Sequence, residues 1–520
     1  MKPCFIFFCL IAGLWNAPAD LPPVWMQFSS SPSGTVRHDD INFADENTGF
    51  AVRGNGLIHR TTDGGETWVQ KLQKTGTHFR CIGFASPTRG WAGNLGVGSY
   101  DSTVTDTNVM YQTLDGGESW NAVPGLAEAG VKGLCALQVL DEKHIFAAGR
   151  VRGPAHFIKS ADGGTNWSVV SLTQLGVMNG IMDVYFHDAT NGYVVGMDNN
   201  PYSTNCAGFY QGAIARTTNA GLSWSLVATS SVACSYFWKM SWPSRNVGYA
   251  TLQQNGSYSN VVFFKTVDGG ATWTSNAIPL SAIGASSFFL QSVGFASETE
   301  GWLGGSSNTS PTNFLHTTDG GATWSLAGYS NSRSINRIRF LNSKLGFASG
   351  QKLHIYRSPL AITTHPQSQW LSPGSTAILS INTSGNPPFN YLWKKDGVPV
   401  NGATNSTLTL TNMQRATAGA YSVTVTNTFG QVISSNAMLR ILMPQQLNTP
   451  EITGDFLKLT FGDADGQPLT SNQLAGFIVQ ASTNLLHWTP LTNQLTLTNG
   501  LMFLEDAVNF PQRFFRVLEP

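Results

Sequence analysis

The sequence predicts an all-β protein that starts with a seven-bladed β-propeller, closed by an N-terminal strand, and continues into two smaller β domains. Three observations predict the propeller: a glycine-rich octet that recurs six times, an aromatic pair spaced by seven residues, and a set of tryptophan strands. Internal repeats with a period of 20–50 residues are typical of propellers and solenoids. Abundant glycine, threonine and serine also favour short strands joined by tight turns.

The octet has the approximate form T-T-D-G-G-x-T-W. Its paired glycines permit the positive φ angles of a tight hairpin, and its Asp and Thr side chains can accept hydrogen bonds from turn N–H groups. The tryptophan is expected to begin the outer strand and to bury its ring beneath the turn. Turn chemistry explains every fixed position, so we interpret the octet as structural. Its third position is held by Asp63, Asp115, Asp162, Asn219, Asp268 and Asp319.

The aromatic pairs lie upstream of the octets and mark the first two strands of each unit. They run from Phe43 to Phe50, Phe84 to Trp91, Val139 to Phe146, Phe186 to Tyr193, Trp242 to Tyr249, Phe295 to Trp302 and Phe340 to Phe347. The seventh unit stops at Ser358 without an octet, whereas the mature chain begins with an orphan tryptophan strand around Trp25. The first strand is therefore expected to complete the last blade, which removes the open edges of the sheets.

These motifs carry a family resemblance over about Pro22 to Ser358. The octet resembles the Asp-box, or bacterial neuraminidase repeat, of sialidases, sortilin-type receptors and xyloglucanases. The wider unit, G-[FWY]-x-x-G followed by Y/H-[RK]-T-x-D-G-G-x-T-W, is similar to the seven-bladed photosystem II stability/assembly factor family. This resemblance implies the propeller fold and a scaffolding role.

After Pro359 the pattern changes to alternating sandwich strands, and residues 360–443 resemble an immunoglobulin I-set-like domain. Trp393 stands at the buried strand C position and Tyr421 at the tyrosine corner of that pattern. Ile381 and Val423 stand at its two cysteine positions, so aliphatic packing is expected to replace the disulfide.

A third module, at residues 449–520, follows the linker MPQQLNTP. It resembles a small carboxy-terminal β module of secreted bacterial proteins. Its last aromatic segment, FFRVLEP, is expected to complete a sheet.

Residues 1–19 have a positive start, a short apolar run and an Ala-Pro-Ala cleavage site, which together predict a cleaved signal peptide. We therefore expect a secreted, periplasmic or cell-surface protein. No later segment is long enough to span a membrane, so no membrane insertion is expected. Thirty basic and thirty acidic residues cancel, which argues against a nucleic-acid partner.

Four cysteines follow the signal segment, and their spacing matches no zinc or haem motif. Neither a metal nor a cofactor is therefore expected. Cys206 and Cys234 belong to a long loop and a blade connection on the same face, so they are expected to form the only disulfide. Cys81 and Cys135 fall on inner strands and are expected to remain small buried hydrophobes.

Aligning the inner strands on their aromatic residues places one ring of side chains three residues upstream. Two acids stand beside bases of adjacent blades: Asp40 beside Arg337, and Asp183 beside Lys239. Such pairing lowers the pKa of a carboxyl group and suits structural ion pairs better than a general acid. These four residues are the candidate binding residues in a ring of Asp40, Cys81, Ala136, Asp183, Lys239, Ser292 and Arg337.

Propeller ligands usually bind the face built from blade connections and from the loops between second and third strands. On this face the longest loops are 94–108 and 196–212. They contribute Tyr100, Tyr202 and Tyr210 as candidate binding residues. Aromatic, amide and hydroxyl groups suit a polypeptide or carbohydrate partner.

The sequence thus predicts a monomeric, non-catalytic binding or scaffold protein. The alternative is an Asp-box glycoside hydrolase of the sialidase or xyloglucanase type. The FRIP-type motif of sialidases is missing from the sequence, and a glycosidase also needs two facing carboxyl groups.

Overall fold

The computed structural model describes residues from 23 onwards. The described part excludes 201–209, 256–257, 307–313, 328, 330–333, 386, 428–429, 455, 470–476, 492–494, 499–500, 508–511 and 519–520. The chain divides into two compact units at Pro359.

The first unit contains, within the described residues, seven four-stranded antiparallel sheets. Strand β1 (Val24–Gln27) belongs to the seventh sheet. The first three blades are β2 (His38–Phe43), β3 (Gly49–Arg53), β4 (Leu57–Thr61) and β5 (Val69–Gln73); β6 (Phe79–Phe84), β7 (Gly90–Asn94), β8 (Met110–Thr113) and β9 (Asn121–Ala122); β10 (Ala136–Val139), β11 (Ile145–Gly149), β12 (His156–Ser160) and β13 (Ser168–Ser171).

The remaining blades follow the same order, from the inner strand outwards. They are β14 (Gly180–Phe186), β15 (Gly192–Met197), β16 (Gln211–Thr217) and β17 (Ser225–Ala233); β18 (Ser235–Ser241), β19 (Gly248–Gln254), β20 (Asn260–Thr266) and β21 (Thr274–Pro279); β22 (Phe289–Phe295), β23 (Gly301–Ser306), β24 (Phe314–Thr317) and β25 (Ser325–Leu326); and β26 (Ile335–Asn342), β27 (Leu345–Gly350) and β28 (Leu353–Arg357) with β1. A short 3-10 helix, Leu280–Ile283, follows β21.

Strand β1 pairs antiparallel with β28, and Val24 lies opposite Arg357. The Trp25 ring is buried and stacks on Phe314 of the sixth blade, with the ring centroids 5.1 Å apart. On the other side of the seventh blade, Phe347 stacks on Phe43 of the first blade at 3.6 Å. The seventh blade is thus packed against both of its neighbours.

Aromatic stacking joins other neighbouring blades in the same way. A ring on the second strand of one blade lies flat against a ring on the inner strand of the next. The pairs are Phe50–Phe84 at 3.7 Å, Phe146–Phe186 at 3.8 Å and Tyr249–Phe295 at 3.7 Å. Each buried aromatic ring contributes about 1.5–3 kcal/mol by leaving water, so these contacts form the core between blades.

The octets are turns that connect the third strand to the fourth in the six blades that contain them. In the last octet, Asp319 accepts hydrogen bonds from the Thr317 hydroxyl at 2.8 Å and from the backbone N–H of Thr323 at 2.9 Å. The N–H of Gly321 donates to the Thr317 hydroxyl at 2.9 Å. The other octets repeat these contacts, and Asn219 replaces the aspartate in one of them.

The second glycine of the octet also fits against the preceding blade. Gly270 has φ near +78°, and a Cβ atom there would lie 2.6 Å from the Tyr193 ring of the fourth blade. The octet therefore requires glycine for two reasons, the backbone angle and the close approach of a neighbouring ring.

The expectation for the octet tryptophans is partly wrong. In the six octet-bearing blades the outer strand begins one residue after the tryptophan. Of the seven tryptophans, all within the described residues, Trp25 and Trp224 are buried and the others are half-buried. The half-buried rings lie beside the turn; for example, Trp324 donates its indole N–H to the Gly321 carbonyl at 3.2 Å.

Replacement of Asp319 by alanine is expected to lower the melting temperature of the propeller by about 2–4 °C. The Thr323 and Thr317 groups that donate to the carboxylate would lose their acceptor. These hydrogen bonds, from Thr323 first and then Thr317, lower the pKa of Asp319 from 3.8 to about 2. Its contribution is therefore complete above about pH 4 and is lost as the pH falls through about 2.

Asp319→Asn is the matched control, because Asn219 makes the equivalent contacts in the fourth blade. Differential scanning calorimetry at neutral pH should place this variant close to the unmodified protein. If Asp319→Ala has the same melting temperature as the unmodified protein, the structural interpretation of the octet is contradicted.

The second unit begins with a β-sandwich. Its strands are β29 (Ala361–Thr364), β30 (Gln369–Leu371), β31 (Ala377–Ser380), β32 (Asn382–Ser384), β33 (Asn390–Lys395), β34 (Val398–Pro399), β35 (Thr407–Leu410), β36 (Gly419–Asn427), β37 (Gly430–Ile433) and β38 (Ala437–Ile441), with a 3-10 helix at Arg415–Thr417. Trp393, Ile381 and Val423 are buried in one core. The Tyr421 hydroxyl donates to the Thr417 carbonyl at 2.7 Å, which fixes the corner before β36.

The last module consists of β39 (Gln445–Leu447), β40 (Glu451–Thr453), β41 (Phe456–Asp463), β42 (Ile478–Ser482), β43 (Thr489–Pro490), β44 (Thr496–Thr498), β45 (Leu501–Ala507) and β46 (Phe514–Leu518). Strand β46 pairs with β42. The segment interpreted as a linker contains β39, which pairs with β41. This module therefore begins earlier than residue 449, because the backbone groups of β39 find partners in its sheet.

Candidate functional site

The predicted ring lies in the central channel, and all seven of its side chains are buried. Arg337 Nε lies 3.2 Å from Asp40 Oδ1, and Lys239 Nζ lies 3.7 Å from Asp183 Oδ1. Arg337 also reaches across the channel, where its Nη1 donates to Asp183 Oδ2 at 2.8 Å. One guanidinium therefore links carboxylates of two blades that are not adjacent to each other.

A fifth charged residue, Arg339, joins this group. Its Nη2 donates to Asp40 Oδ2 at 2.9 Å, and its Nε donates to Asp40 Oδ1 at 3.2 Å. Sequence alignment of the ring misses Arg339 because it lies two residues after the ring position, at the next inward-facing site of the strand. We call Asp40, Asp183, Lys239, Arg337 and Arg339 the ion cluster.

A bulge in the inner strand accompanies the ring position in most blades. The register of the first two strands shifts just before Asp40, Cys81, Asp183, Ser292 and Arg337, and it shifts across Lys239. Bulges bend a strand and redirect a side chain, which is a common device beside functional sites. The sequence pattern has no clear signal for this bulge.

The ion cluster holds its acids in the charged form. Burial alone would raise the pKa of Asp40, but Arg339 and Arg337 outweigh burial and lower it. Arg337 and Lys239 lower the pKa of Asp183 in the same way. Burial lowers the pKa of Lys239 to about 8, although Asp183 opposes that change. Both carboxyl groups are therefore ionised near neutral pH and have no proton to donate.

A second network lies at the amino-terminal ends of the inner strands, towards the face opposite the octets. Asp39 is buried and accepts from Arg80, from Arg37 Nε at 2.8 Å and from His78 Nε2 at 2.9 Å. Its pKa is lowered because the cations Arg80 and Arg37 outweigh the effect of burial. The Arg80 guanidinium also lies 4.9 Å from the centre of the Trp238 ring. Sequence analysis missed this network. Its sign in the sequence is Asp39, a second acidic residue directly before Asp40.

The 94–108 loop packs onto this network as an ordered surface. The Asn94 side chain donates to the backbone carbonyls of Asp106 and Asn108 at 3.1 and 2.8 Å. Asp101 contacts His78 Nδ1 at 2.6 Å. The loop leaves Tyr100 39% exposed and Val97 45% exposed.

We call Arg37, His78, Val97, Tyr100 and Asp101 the partner surface. It combines an exposed aromatic ring and an exposed aliphatic side chain with charged groups that the Asp39 network holds in place.

Tyr210, another of the predicted tyrosines, does not belong to this surface. Tyr210 is 1% exposed and its hydroxyl accepts from the Asn255 amide at 2.7 Å, so its prediction as a surface contact is wrong. It precedes β16 and packs beside Tyr236, which encloses it. Tyr202 lies outside the described residues.

Cys234 is disulfide-bonded, and Cys81 and Cys135 are buried free thiols. Cys206, its predicted partner, lies outside the described residues, so this pairing stays a prediction. The described residues contain no cluster of three or more His, Cys, Asp and Glu side chains suited to a metal ion. In the same part of the chain, no helix has the length and hydrophobicity needed to cross a membrane.

Comparison with known families gives two matches. Residues 255–333 match the family model of the photosynthesis system II assembly factor YCF48. Residues 361–427 match an immunoglobulin domain model. The predicted resemblance is therefore confirmed: a propeller similar to that of YCF48 precedes an immunoglobulin-like domain. A search of curated proteins found no match.

Similar solved structures include YCF48 bound to D1 peptide, with 19% identity and a TM-score of 0.46 over 66% of this chain and 99% of that one. YCF48 from Cyanidioschyzon merolae has 17% identity and a TM-score of 0.46 over 64% of this chain and 98% of that one. A chimeric titin Z1Z2 structure has 30% identity and a TM-score of 0.15 over 16% of this chain and 93% of that one.

Proposed function

We propose that this protein is a secreted, non-catalytic binding or scaffold protein that holds a polypeptide through the partner surface. The observation that carries the proposal is the ordered 94–108 loop, which exposes Val97 and Tyr100 beside a fixed set of charges. Exposed aromatic residues on a rigid support are typical of interface hot spots. The match of residues 255–333 to an assembly-factor family supports the same function.

The chemistry of the channel supports a non-catalytic role. A glycoside hydrolase needs one carboxyl group that donates a proton and a second that acts as base or nucleophile. Asp40 and Asp183 each receive a hydrogen bond from an arginine, and both have lowered pKa values. A general acid requires the opposite shift.

Secretion is supported by the amino-terminal segment and by the chemistry of Cys234. The segment 1–19 has the three parts of a signal peptide. Disulfides persist mainly in oxidising compartments, and Cys234 is disulfide-bonded. Fusion of residues 1–30 to a reporter enzyme would test export directly.

The binding function is tested with a double variant, Val97→Ser with Tyr100→Ala. The immobilised full chain is used to capture proteins from an extracellular and periplasmic extract of its source. The double variant is expected to bind a captured protein at least about tenfold more weakly, since truncation of a hot-spot aromatic residue has effects of this size.

The control is Leu114→Ala with Val267→Ser, which changes two apolar side chains, both more exposed than Val97 and Tyr100, in the octets at the opposite face. If the unmodified protein and both double variants capture the same amount of protein, the partner surface has no role in binding and the proposal is wrong. Binding on a glycan array, or release of reducing sugar from polysaccharide, would favour the carbohydrate partner or the glycoside hydrolase instead.

A further inference from the structure

The central channel contains a cavity of about 320 Å³ between the ion cluster and the octet side. Ligand pockets range from about 300 to 1,000 Å³, so this cavity is large enough for a small molecule. Its lining comes mainly from the inner strands and includes Asp183, Tyr185, Trp242, Arg337, Arg339 and Phe340.

The ion cluster at the inner end of the cavity has one positive charge in excess. Arg337, Arg339 and Lys239 carry three positive charges, while Asp40 and Asp183 carry two negative ones. Burying an unbalanced charge is costly, and an anion that enters the cavity would balance it.

Two guanidinium groups keep a nitrogen available for such an anion. Arg337 uses Nε and Nη1 on Asp40 and Asp183, and Arg339 uses Nε and Nη2 on Asp40. Within the part of the chain that the structure describes, Nη2 of Arg337 and Nη1 of Arg339 have no hydrogen-bond acceptor. Arginine N–H groups bind carboxylates with short, charge-assisted hydrogen bonds.

The walls of the cavity are aromatic. The rings of Tyr185 and Trp242 stack with their centroids 5.8 Å apart, and Phe340 also lines the cavity. Aromatic side chains stack well on flat rings and on the apolar faces of sugar rings. The wall chemistry therefore suits a ring-shaped body, whereas the inner end suits a negative charge.

We propose that this cavity binds a small organic carboxylate that carries one six-membered ring. The carboxylate lies against Arg337 and Arg339, and the ring lies against the aromatic wall formed by Tyr185, Trp242 and Phe340. The cavity holds on the order of ten water-sized volumes, which matches a molecule of that size. The site is at the opposite end of the channel from the partner surface, so the two proposals succeed or fail independently.

The test is isothermal titration calorimetry of the full chain with benzoate and with glucuronate. Benzyl alcohol and glucose serve as the uncharged partners of these probes. At least one carboxylate is expected to bind with a Kd between about 10 µM and 1 mM, a range that is normal for so few atoms. Its uncharged partner is expected to bind at least about tenfold more weakly.

The variant Arg339→Gln is expected to weaken carboxylate binding about tenfold or more. Arg339 is 25% exposed, and Arg60, which is 19% exposed and pairs with Glu118 outside the cavity, gives the matched control Arg60→Gln. Circular dichroism confirms that both variants are folded, and the comparison of charged with uncharged probes does not depend on any variant.

If only benzoate binds, the ligand of the cavity has a flat apolar ring. If only glucuronate binds, the ligand has a sugar ring. The proposal is overturned if neither carboxylate binds up to about 20 mM, far above the expected range. Equal binding of the uncharged partners, or unchanged binding by a folded Arg339→Gln variant, would overturn it as well.

Discussion

Replacement of Arg337 by methionine is expected to lower the free energy of unfolding of the propeller by about 3–5 kcal/mol. The change removes the group that links Asp40 to Asp183 and leaves both carboxylates buried with fewer partners. Asp40 would keep Arg339, and Asp183 would keep Lys239 at 3.7 Å. Loss of one partner from a buried ion pair is costly because the remaining charge stays out of water.

Chemical denaturation followed by tryptophan fluorescence measures this effect. The signal reports mainly on the propeller, because 11 of the 15 tryptophans lie between Trp25 and Trp324. A loss below about 1 kcal/mol in Arg337→Met would place the cluster among the weak ion pairs of protein surfaces and contradict the prediction.

The same variant has an expected pH dependence. The pKa values of Asp40 and Asp183 are lowered in the folded protein, so their contribution is present above about pH 4 and is lost as the pH falls. In Arg337→Met the pKa values of Asp40 and Asp183 rise. Ionisation of these two carboxyl groups therefore contributes less to the stability of the variant. The difference in stability between the two proteins should therefore narrow in acid, as denaturation at about pH 3 and pH 7 would reveal.

Deletion of residues 20–30 is expected to destabilise the propeller strongly and to cause aggregation. The deletion removes β1 and Trp25, and it leaves the outer edge of β28 without its partner strand along His354–Arg357. An unpaired strand edge is a template for pairing with other chains. The point variant Trp25→Ala isolates the side chain and should cost about 3–5 kcal/mol, as is usual for a buried tryptophan.

Trp370→Ala is the control for this point variant, since Trp370 is 66% exposed in the immunoglobulin-like domain and should have little effect. Denaturation measures the two point variants, and gel filtration of the deletion variant measures aggregation. If the deletion variant is monomeric and unfolds at the same denaturant concentration as the full chain, β1 does not stabilise the propeller.

The sequence predicts the blades well because their signals are local. The hydrogen bonds of each octet join residues two to four positions apart, and each aromatic pair spans the hairpin between the first two strands of a blade. The ring of Asp40, Asp183 and Arg337 follows from aligning equivalent strands. Repeats make such an alignment possible without any relative of the protein.

Contacts across the channel are not predicted because strand alignment contains no distances. Whether Arg337 reaches Asp183 depends on the width of the channel and on the length of the arginine side chain. The role of Asp39 depends on His78 and Arg80 of the next blade. Tyr210 looks like a loop residue in the sequence, yet the fold buries it beside Tyr236.

The pairing of Val24 with Arg357 has a consequence for how the gene for this propeller can be rearranged. In the other six blades an octet connects the third strand to the fourth, whereas here the two strand ends lie side by side without a peptide link. A linker with an octet sequence could therefore join Arg357 to Val24, and the chain could be opened in any other blade. Such a circular permutant would keep all seven sheets and would move the attachment point of the carboxy-terminal modules around the ring.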